Sequence, residues 1–349
     1  MNAEAGAATR AAAPDGPLAS WVGDVEEFSA QHWQIKPAAF RPGDFRSPFD
    51  LDELDAAFQG NLLRTPYLEM VRSNKVVIPP EAYTTQRIIN GVTYQGFADR
   101  AKVVALLRGG ATLLLRCVDQ WHEATRLLVA ELSRELGRRV EAFFFVTPAR
   151  GQGLAVHRDD ADVFVLQVAG AKTWFVHDAP AAPDWTPGEL ADDEHSRRRL
   201  RTVLQPGDVL YVPRAFAHRA VGAGGLSAHL SLTVRDVSLE QLKAVLEQRL
   251  SEGLGLPDRP LGEAAIADAC AAVLGHYRAR LEAITPEELR LAARAAQAQL
   301  HTVEAGATPT FAEAARDWPD SDRAGETGGS SFALGSRWRR PLRVTHPGS

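Results

Sequence analysis

Apolar positions change their spacing partway along this chain, and the change divides it. In the first part they recur at three and four residues, the spacing of one helical face. Val25, Phe28 and the His32-Trp33 pair predict a short helix between Trp21 and Pro37, stopped by Lys36-Pro37. Asp50, with Glu53 three residues on, predicts a capped helix start at Leu51. Asp119 to Leu136 predicts one amphipathic helix, marked by Trp121, Ala124, Leu127, Leu128 and Leu132 and closed by Gly137. Short apolar runs at Lys75–Ile78 and Ala111–Arg116 predict strands.

From Val140 the pattern becomes one of short strands: Val140–Thr147, Asp162–Val168, Lys172–His177, Thr202–Leu204, Val209–Val212, His218–Val221 and Ala228–Val234. Ala169-Gly170 and Pro206-Gly207-Asp208 supply turn chemistry between them. Many short strands with Gly and Pro punctuation favour an antiparallel sandwich or barrel over a parallel sheet. The polar, Pro-containing stretch from Ala179 to Arg201 is expected to form a loop at the barrel mouth.

After Val234 helical spacing returns. Ser238 and Gln241 form a capping-box pattern ahead of Leu239, Leu242, Val245 and Leu246. A second helix is expected from about Gly262 to Ala283, and Thr285-Pro286-Glu287-Glu288 opens a third. The fold class expected is mainly β with flanking helices and a C-terminal helical segment. The organisation expected is a flexible N-terminus over 1–18 and a main domain over 19–236 with its β core at about 140–236. A helical segment over 237–305, a candidate dimerisation unit, and a short tail or truncated module over 306–349 complete it.

Composition narrows the class. A chain of 349 residues with 45% hydrophobic and 24% charged side chains is that of an ordinary globular protein with a sizeable core. A net charge of -5 gives no electrostatic reason to expect nucleic acid as a partner. Cys117 and Cys270 are too few for a disulfide framework or a thiolate zinc site and suit a reducing compartment. No apolar run is long enough to span a bilayer, and the Ala-rich start lacks a secretory pattern, so a cytoplasmic protein is expected.

The candidate chemistry centres on Val156 to Gln167. Residues two apart on a strand point the same way, so His157 and Asp159 aim an imidazole and a carboxylate at one place. His218 follows another strand. Two neutral imidazoles and one carboxylate leave further positions on a metal open, as in non-haem Fe(II) oxygenases. Blander readings compete: a His-x-Asp step is commonly a turn hydrogen bond, His218 a core histidine, Lys172 a cap on a surface strand. Arg158 is expected in an ion pair, and Asp160 and Asp162 in solvent or turns. His122, His177, His195, His276 and His346 have no partner spacing.

The blocks Thr147 to Leu154, His157-Arg158-Asp159 and Asp162 to Trp174, followed by Pro206 to Pro213 and His218, resemble the JmjC/cupin-4 family of 2-oxoglutarate oxygenases, with a pattern similar to the ribosomal oxygenases. The likeness covers roughly Trp21 to Asp236 and implies a double-stranded β-helix, or jelly-roll, core. It implies His157, Asp159 and His218 as Fe(II) ligands, with 2-oxoglutarate and O2 as cosubstrates. It implies Lys172 as the cation for the distal carboxylate of 2-oxoglutarate, with Thr147 and Thr233 as further cosubstrate contacts. The implied activity is hydroxylation of an amino-acid side chain of a protein or peptide. Two departures from the family pattern, Phe143 and Phe145 where relatives carry polar residues and Arg158 where an aromatic is common, keep a small-molecule hydroxylase open. A non-catalytic cupin binding metal or ligand is the third alternative.

Overall fold

The computed structural model describes residues 16–43, 46–72, 77–148, 155–182, 184–190, 197–255 and 261–299. The chain divides into units of residues 1–302 and 303–349, and the second lies outside the described residues. The expectations for most of the N-terminus, for the tail from 306, and for part of the strand at 75–78 therefore fall outside them too.

The N-terminal part runs α1 (Pro17–Val22), α2 (Val25–Gln31), β1 (Ala38–Phe40), α3 (Leu51–Gln59) and β2 (Leu68–Val71). The hairpin β3 (Thr84–Ile89) and β4 (Val92–Ala98) then leads through α4 (Arg100–Arg108) to β5 (Thr112–Leu115). Asp24 and Asp50 cap α2 and α3 by accepting from Glu27 N and from Asp52 N and Glu53 N, as short acidic caps do. The single helix expected over 119–136 is two, α5 (Val118–Trp121) and α6 (Glu123–Leu136). His122 takes an extended backbone between them, and its ring accepts from Thr125 N, so an imidazole does the capping that Ser or Asp usually does.

Next come β6 (Arg139–Thr147), β7 (His157–Arg158), β8 (Asp162–Ala169), β9 (Lys172–His177), β10 (Gly188–Glu189), β11 (Arg198–Leu204), β12 (Val209–Val212), β13 (His218–Gly222) and β14 (Ser227–Arg235). Among the described residues they form a seven-stranded sheet, β1-β12-β8-β14-β6-β5-β2, and a five-stranded sheet, β10-β7-β13-β9-β11. The pairings are antiparallel, and the two sheets make the jelly-roll expected for a JmjC/cupin core.

The large sheet has two covered faces, which explains its apolar strands. Phe144, Phe164, Leu166, Leu230 and Leu232 face a core completed by Trp21, Phe28 and Leu132 from the helices and by Phe49, just before α3. Val163, Val165 and Leu210 face the second sheet and meet Trp174, Val176, Leu204 and Ala220. On β6 and β14 the residues between the helix-facing ones are Phe143, Phe145 and Thr147, and His229, Ser231 and Thr233. These line a cavity instead of a dry core.

Asp162, expected in solvent or a turn, is buried. It accepts from Tyr211 Oη (2.6 Å), Gln34 Nε2 (3.0 Å) and Arg214 N (3.2 Å), and so ties the N-terminal segment to β12 and β8. The turn at Ala169-Gly170 passes so close to Leu226 that only a glycine, at φ 58°, fits there. The C-terminal helices are α7 (Leu239–Ser251), α8 (Glu263–Ala283) and α9 (Pro286–Gln299), with the capping box at Ser238 and Gln241 formed as expected. Asp236 holds α9 through Arg294 and also takes Arg138 (3.2 Å).

Candidate metal centre and the cavity beneath it

β7 and β13 are neighbours in register, His157 opposite His218, so the two rings lie side by side with centroids 4.3 Å apart. Asp159 follows β7 on the same side. His157, Asp159 and His218 each offer a ligand atom within 4.8 Å of the others, the set expected from the sequence. The backbone holds this turn in a conformation alanine seldom adopts: Ala215, at φ 72°, donates its N–H to Asp159 O (3.0 Å).

Protons are what make the cluster informative. His157 Nδ1 lies 2.8 Å from Ala155 O and His218 Nδ1 lies 3.0 Å from Phe216 O. A carbonyl only accepts, so each Nδ1 carries a hydrogen, and each ring turns its Nε2 to the centre. Burial, helped by the His157 ring, pushes His218 down to about 4, so it is neutral at physiological pH. His157 Nε2 and His218 Nε2 stand 3.8 and 3.5 Å from the two oxygens of Asp159. Three potential ligand atoms thus converge on one point. A cation completes such a set, and the backbone carbonyls behind the rings are the partners that usually orient metal-binding imidazoles.

Below the cluster lies a cavity of about 300 Å³ between the sheets. Lys172, at the start of β9, is 2% exposed and reaches its floor. Its Nζ donates to Thr147 Oγ1 (3.0 Å) and to His229 Nδ1 (3.2 Å). Burial alone pushes it down to about 7, with no carboxylate contributing. His229 is held well below its ordinary value by burial and by the neighbouring ammonium, so it is a neutral acceptor. Phe145 stacks on the imidazole (4.9 Å, 4° between planes) and Trp174 meets it edge-on (5.5 Å). In register Val176 pairs with His218, so Lys172 is four residues along β9, about 13 Å of strand from the metal level. That leaves room for a small diacid between the two ends.

The structure therefore brings Lys172 and Thr147 together and adds His229. Thr233 lines the same cavity but nearer its mouth, four residues along β14 from His229, where it donates to Glu141 O (3.4 Å). Glu69 and Arg116, which pair at 2.7 Å, also line the cavity. Nothing local in the sequence announces them, because the contact joins strands 47 residues apart. Arg158 departs from expectation: it is buried and meets no ion-pair partner among the described residues.

The chain is similar to several known proteins. Residues 118–242 match the family model described as JmjC domain. Ribosomal oxygenase 1 of Bos taurus is 32% identical over 204 residues, 55% of this chain and 30% of the bovine protein. That of Gallus gallus is 30% identical over 268 residues, 70% of this chain and 42% of the chicken protein. The chain thus spans less than half the length of these two curated relatives. Among solved structures, the Escherichia coli ribosomal oxygenase YcfD in complex with cobalt and 2-oxoglutarate is similar with a TM-score of 0.48 and 18% identity, over 75% of this chain and 70% of that one. Over residues 118–242 this chain is a JmjC domain, homologous to that of ribosomal oxygenase 1.

Proposed function

We propose that this protein is an Fe(II)- and 2-oxoglutarate-dependent dioxygenase that hydroxylates an amino-acid side chain of a protein or peptide. One observation carries the reading: two imidazoles and a carboxylate converge over a cavity whose floor holds a buried lysine with no carboxylate partner among the described residues. The upper end lacks a cation and the lower end an anion. Fe(II) and a dicarboxylate supply one each.

In this reading His157, Asp159 and His218 hold the iron, and Lys172 takes the distal carboxylate of 2-oxoglutarate, steadied by Thr147 and His229. Thr233 forms the wall nearer the metal. When bound, iron and 2-oxoglutarate supply oxygen activation, giving succinate, carbon dioxide and a hydroxylated carbon. The protein's part is positioning and exclusion of water. Phe143, Phe145 and Trp174 make apolar cavity walls, which keep bulk solvent from the reacting groups. The small cavity suits one inserted side chain, with the rest of the substrate outside against Glu69 and Arg116. The names of the relatives support a ribosomal protein as substrate.

The remaining organisation we propose is an oxygenase domain over 19–236 and a dimerisation segment over 237–305. In the latter Leu274, Leu281 and Leu291 stand more than half exposed, and α8 buries no residue. No helix among the described residues is long and apolar enough to cross a membrane, and with Cys117 and Cys270 both free thiols we place the enzyme in the cytoplasm. The deciding experiment is anaerobic addition of Fe(II) and 2-oxoglutarate. A weak visible charge-transfer band, lost in Asp159→Ala, is expected, and metal binding without the band would overturn the reading in favour of a non-catalytic cupin. Mass spectrometry for one added oxygen on proteins against small molecules then separates the two hydroxylase alternatives.

A further inference from the structure

On β7 the side chains alternate, so Arg158 points away from the metal cluster while its neighbours His157 and Asp159 point into it. It is 7% exposed, and its buried Nε has no hydrogen-bond partner among the described residues. An interior guanidinium without a partner is unfavourable unless an anion completes it. Arg158 lines a second, open cavity of about 910 Å³, on the opposite side of β7 from the first. That volume is far larger than an inorganic ion requires and is in the range of small-molecule sites.

The walls define the chemistry. Trp185, Phe216, Leu190 and Pro180 give an apolar surround, and the Arg214 guanidinium lies 5.5 Å over the Trp185 ring. Among the described residues the other charges that line the cavity are Arg199 and Asp178, which pair with each other, and Asp184, which is exposed. One uncommitted fork therefore faces the space, and the exposed carboxylate of Asp184 disfavours a doubly charged ligand. A planar guanidinium fork matches a carboxylate in bidentate geometry.

We propose that this second cavity is a binding site for an organic monocarboxylate with a small aromatic or aliphatic body, held by Arg158 at its charged end and by Trp185 at its apolar end. The site is separate from the one that would take 2-oxoglutarate and stands whether or not the first cavity is catalytic. Its floor is the strand that carries His157 and Asp159.

The probe is 4-fluorobenzoate, followed by fluorine NMR on the full chain with 2-oxoglutarate in excess. Saturable broadening of the probe is expected, undiminished by 2-oxoglutarate and unchanged in Lys172→Met. Arg158→Leu and Trp185→Ala should each weaken binding about tenfold or more. Trp185 lies off β7, so its variant remains a test should Arg158→Leu fail to fold. Absence of saturable binding up to about 10 mM, a weak but still measurable affinity range, would overturn the proposal. So would retained affinity in Trp185→Ala, or displacement by 2-oxoglutarate. Displacement by inorganic phosphate at equal concentration would overturn the carboxylate assignment.

Discussion

Replacing Lys172 with Met tests the electrostatics of the cavity floor without touching a metal ligand. The ordinary lysine value of 10.5 falls to about 7 in the folded protein, and burial is the cause. Below pH 7 the ammonium is charged in both folded and unfolded chains, and the folded state bears the full penalty of burying it. As pH rises from 7 towards 10.5, the folded chain has already lost its proton while the unfolded chain still holds one. The unfolded state then binds more protons, so stability rises with pH across that window. At 1.36 kcal/mol per pKa unit, the penalty is about 5 kcal/mol at pH 6 and about 2 kcal/mol at pH 9.

Met at 172 removes the charge and also the bonds to Thr147 and His229, each worth about 1 kcal/mol. Those packing and hydrogen-bond losses are nearly independent of pH, so they cancel when two pH values are compared. The metal-free variant should therefore gain about 3 kcal/mol relative to wild type on going from pH 9 to pH 6, following the same linkage. Urea unfolding of both proteins at the two pH values, in chelator, measures this directly. Calorimetry should show 2-oxoglutarate binding lost in the variant. In wild type at pH 8, binding should take up a proton, because the diacid favours the charged lysine. A stability difference that does not change with pH would refute the reasoning, since it would mean that Lys172 reaches water.

Other expectations follow from the same contacts. His218→Ala should abolish stoichiometric Fe(II) or Co(II) binding, read by metal analysis after gel filtration, while leaving the circular dichroism spectrum unchanged. Tyr211→Phe leaves buried Asp162 short of its 2.6 Å donor and should cost about 2–3 kcal/mol. Hydrogen exchange should show that loss concentrated at residues 32–40, because Gln34 N donates to the Tyr211 hydroxyl. Asp236 is raised by burial but held down to about 2 by Arg294, the Val237 N–H and Arg138. Its contribution is present above pH 4 and lost as pH falls towards 2. Asp236→Asn should cost about 1 kcal/mol at pH 7 after allowance for partial exposure, and it should flatten the acid limb of the unfolding curve.

The sequence was most legible where one local rule decided the outcome. Asp50, the Ser238-Gln241 pair and Gly170 mark element ends because capping and left-handed backbone depend on residues only a few positions apart. His157, Asp159 and His218 were legible for a different reason: alternation put the first two on one side, and a strand edge presented the third. What could not be read depends on pairings between distant strands. The hairpin of β3 and β4 keeps most of its residues exposed and so shows no clean alternation, and β7 and β10 are two residues each. His229 becomes the partner of Lys172 only because β14 lies in one sheet and β9 in the other. Arg158 carried the opposite lesson. Arginine is usually paired or exposed, and that prior fails at Arg158, which is buried with no ion-pair partner among the described residues.

The two ends of the first cavity depend on each other. An acceptor-only cluster repels a dianion, so an empty metal centre weakens the very ligand that Lys172 needs, and a filled one removes that repulsion. Conversely, a diacid seated on Lys172 brings its second carboxylate towards the cluster and adds an anionic donor to the cation. Linkage makes this help reciprocal: whatever factor the metal adds to diacid affinity, the diacid must add to metal affinity. The order expected is metal first, because His157, Asp159 and His218 already offer ligand atoms within 4.8 Å of one another, whereas the diacid's seat at the cavity floor offers Lys172 among largely apolar walls. Titrating 2-oxoglutarate with and without Mn(II), and Mn(II) with and without 2-oxoglutarate, should return the same ratio of affinities. A ratio of one in both titrations would mean that the two ligands do not share this cavity.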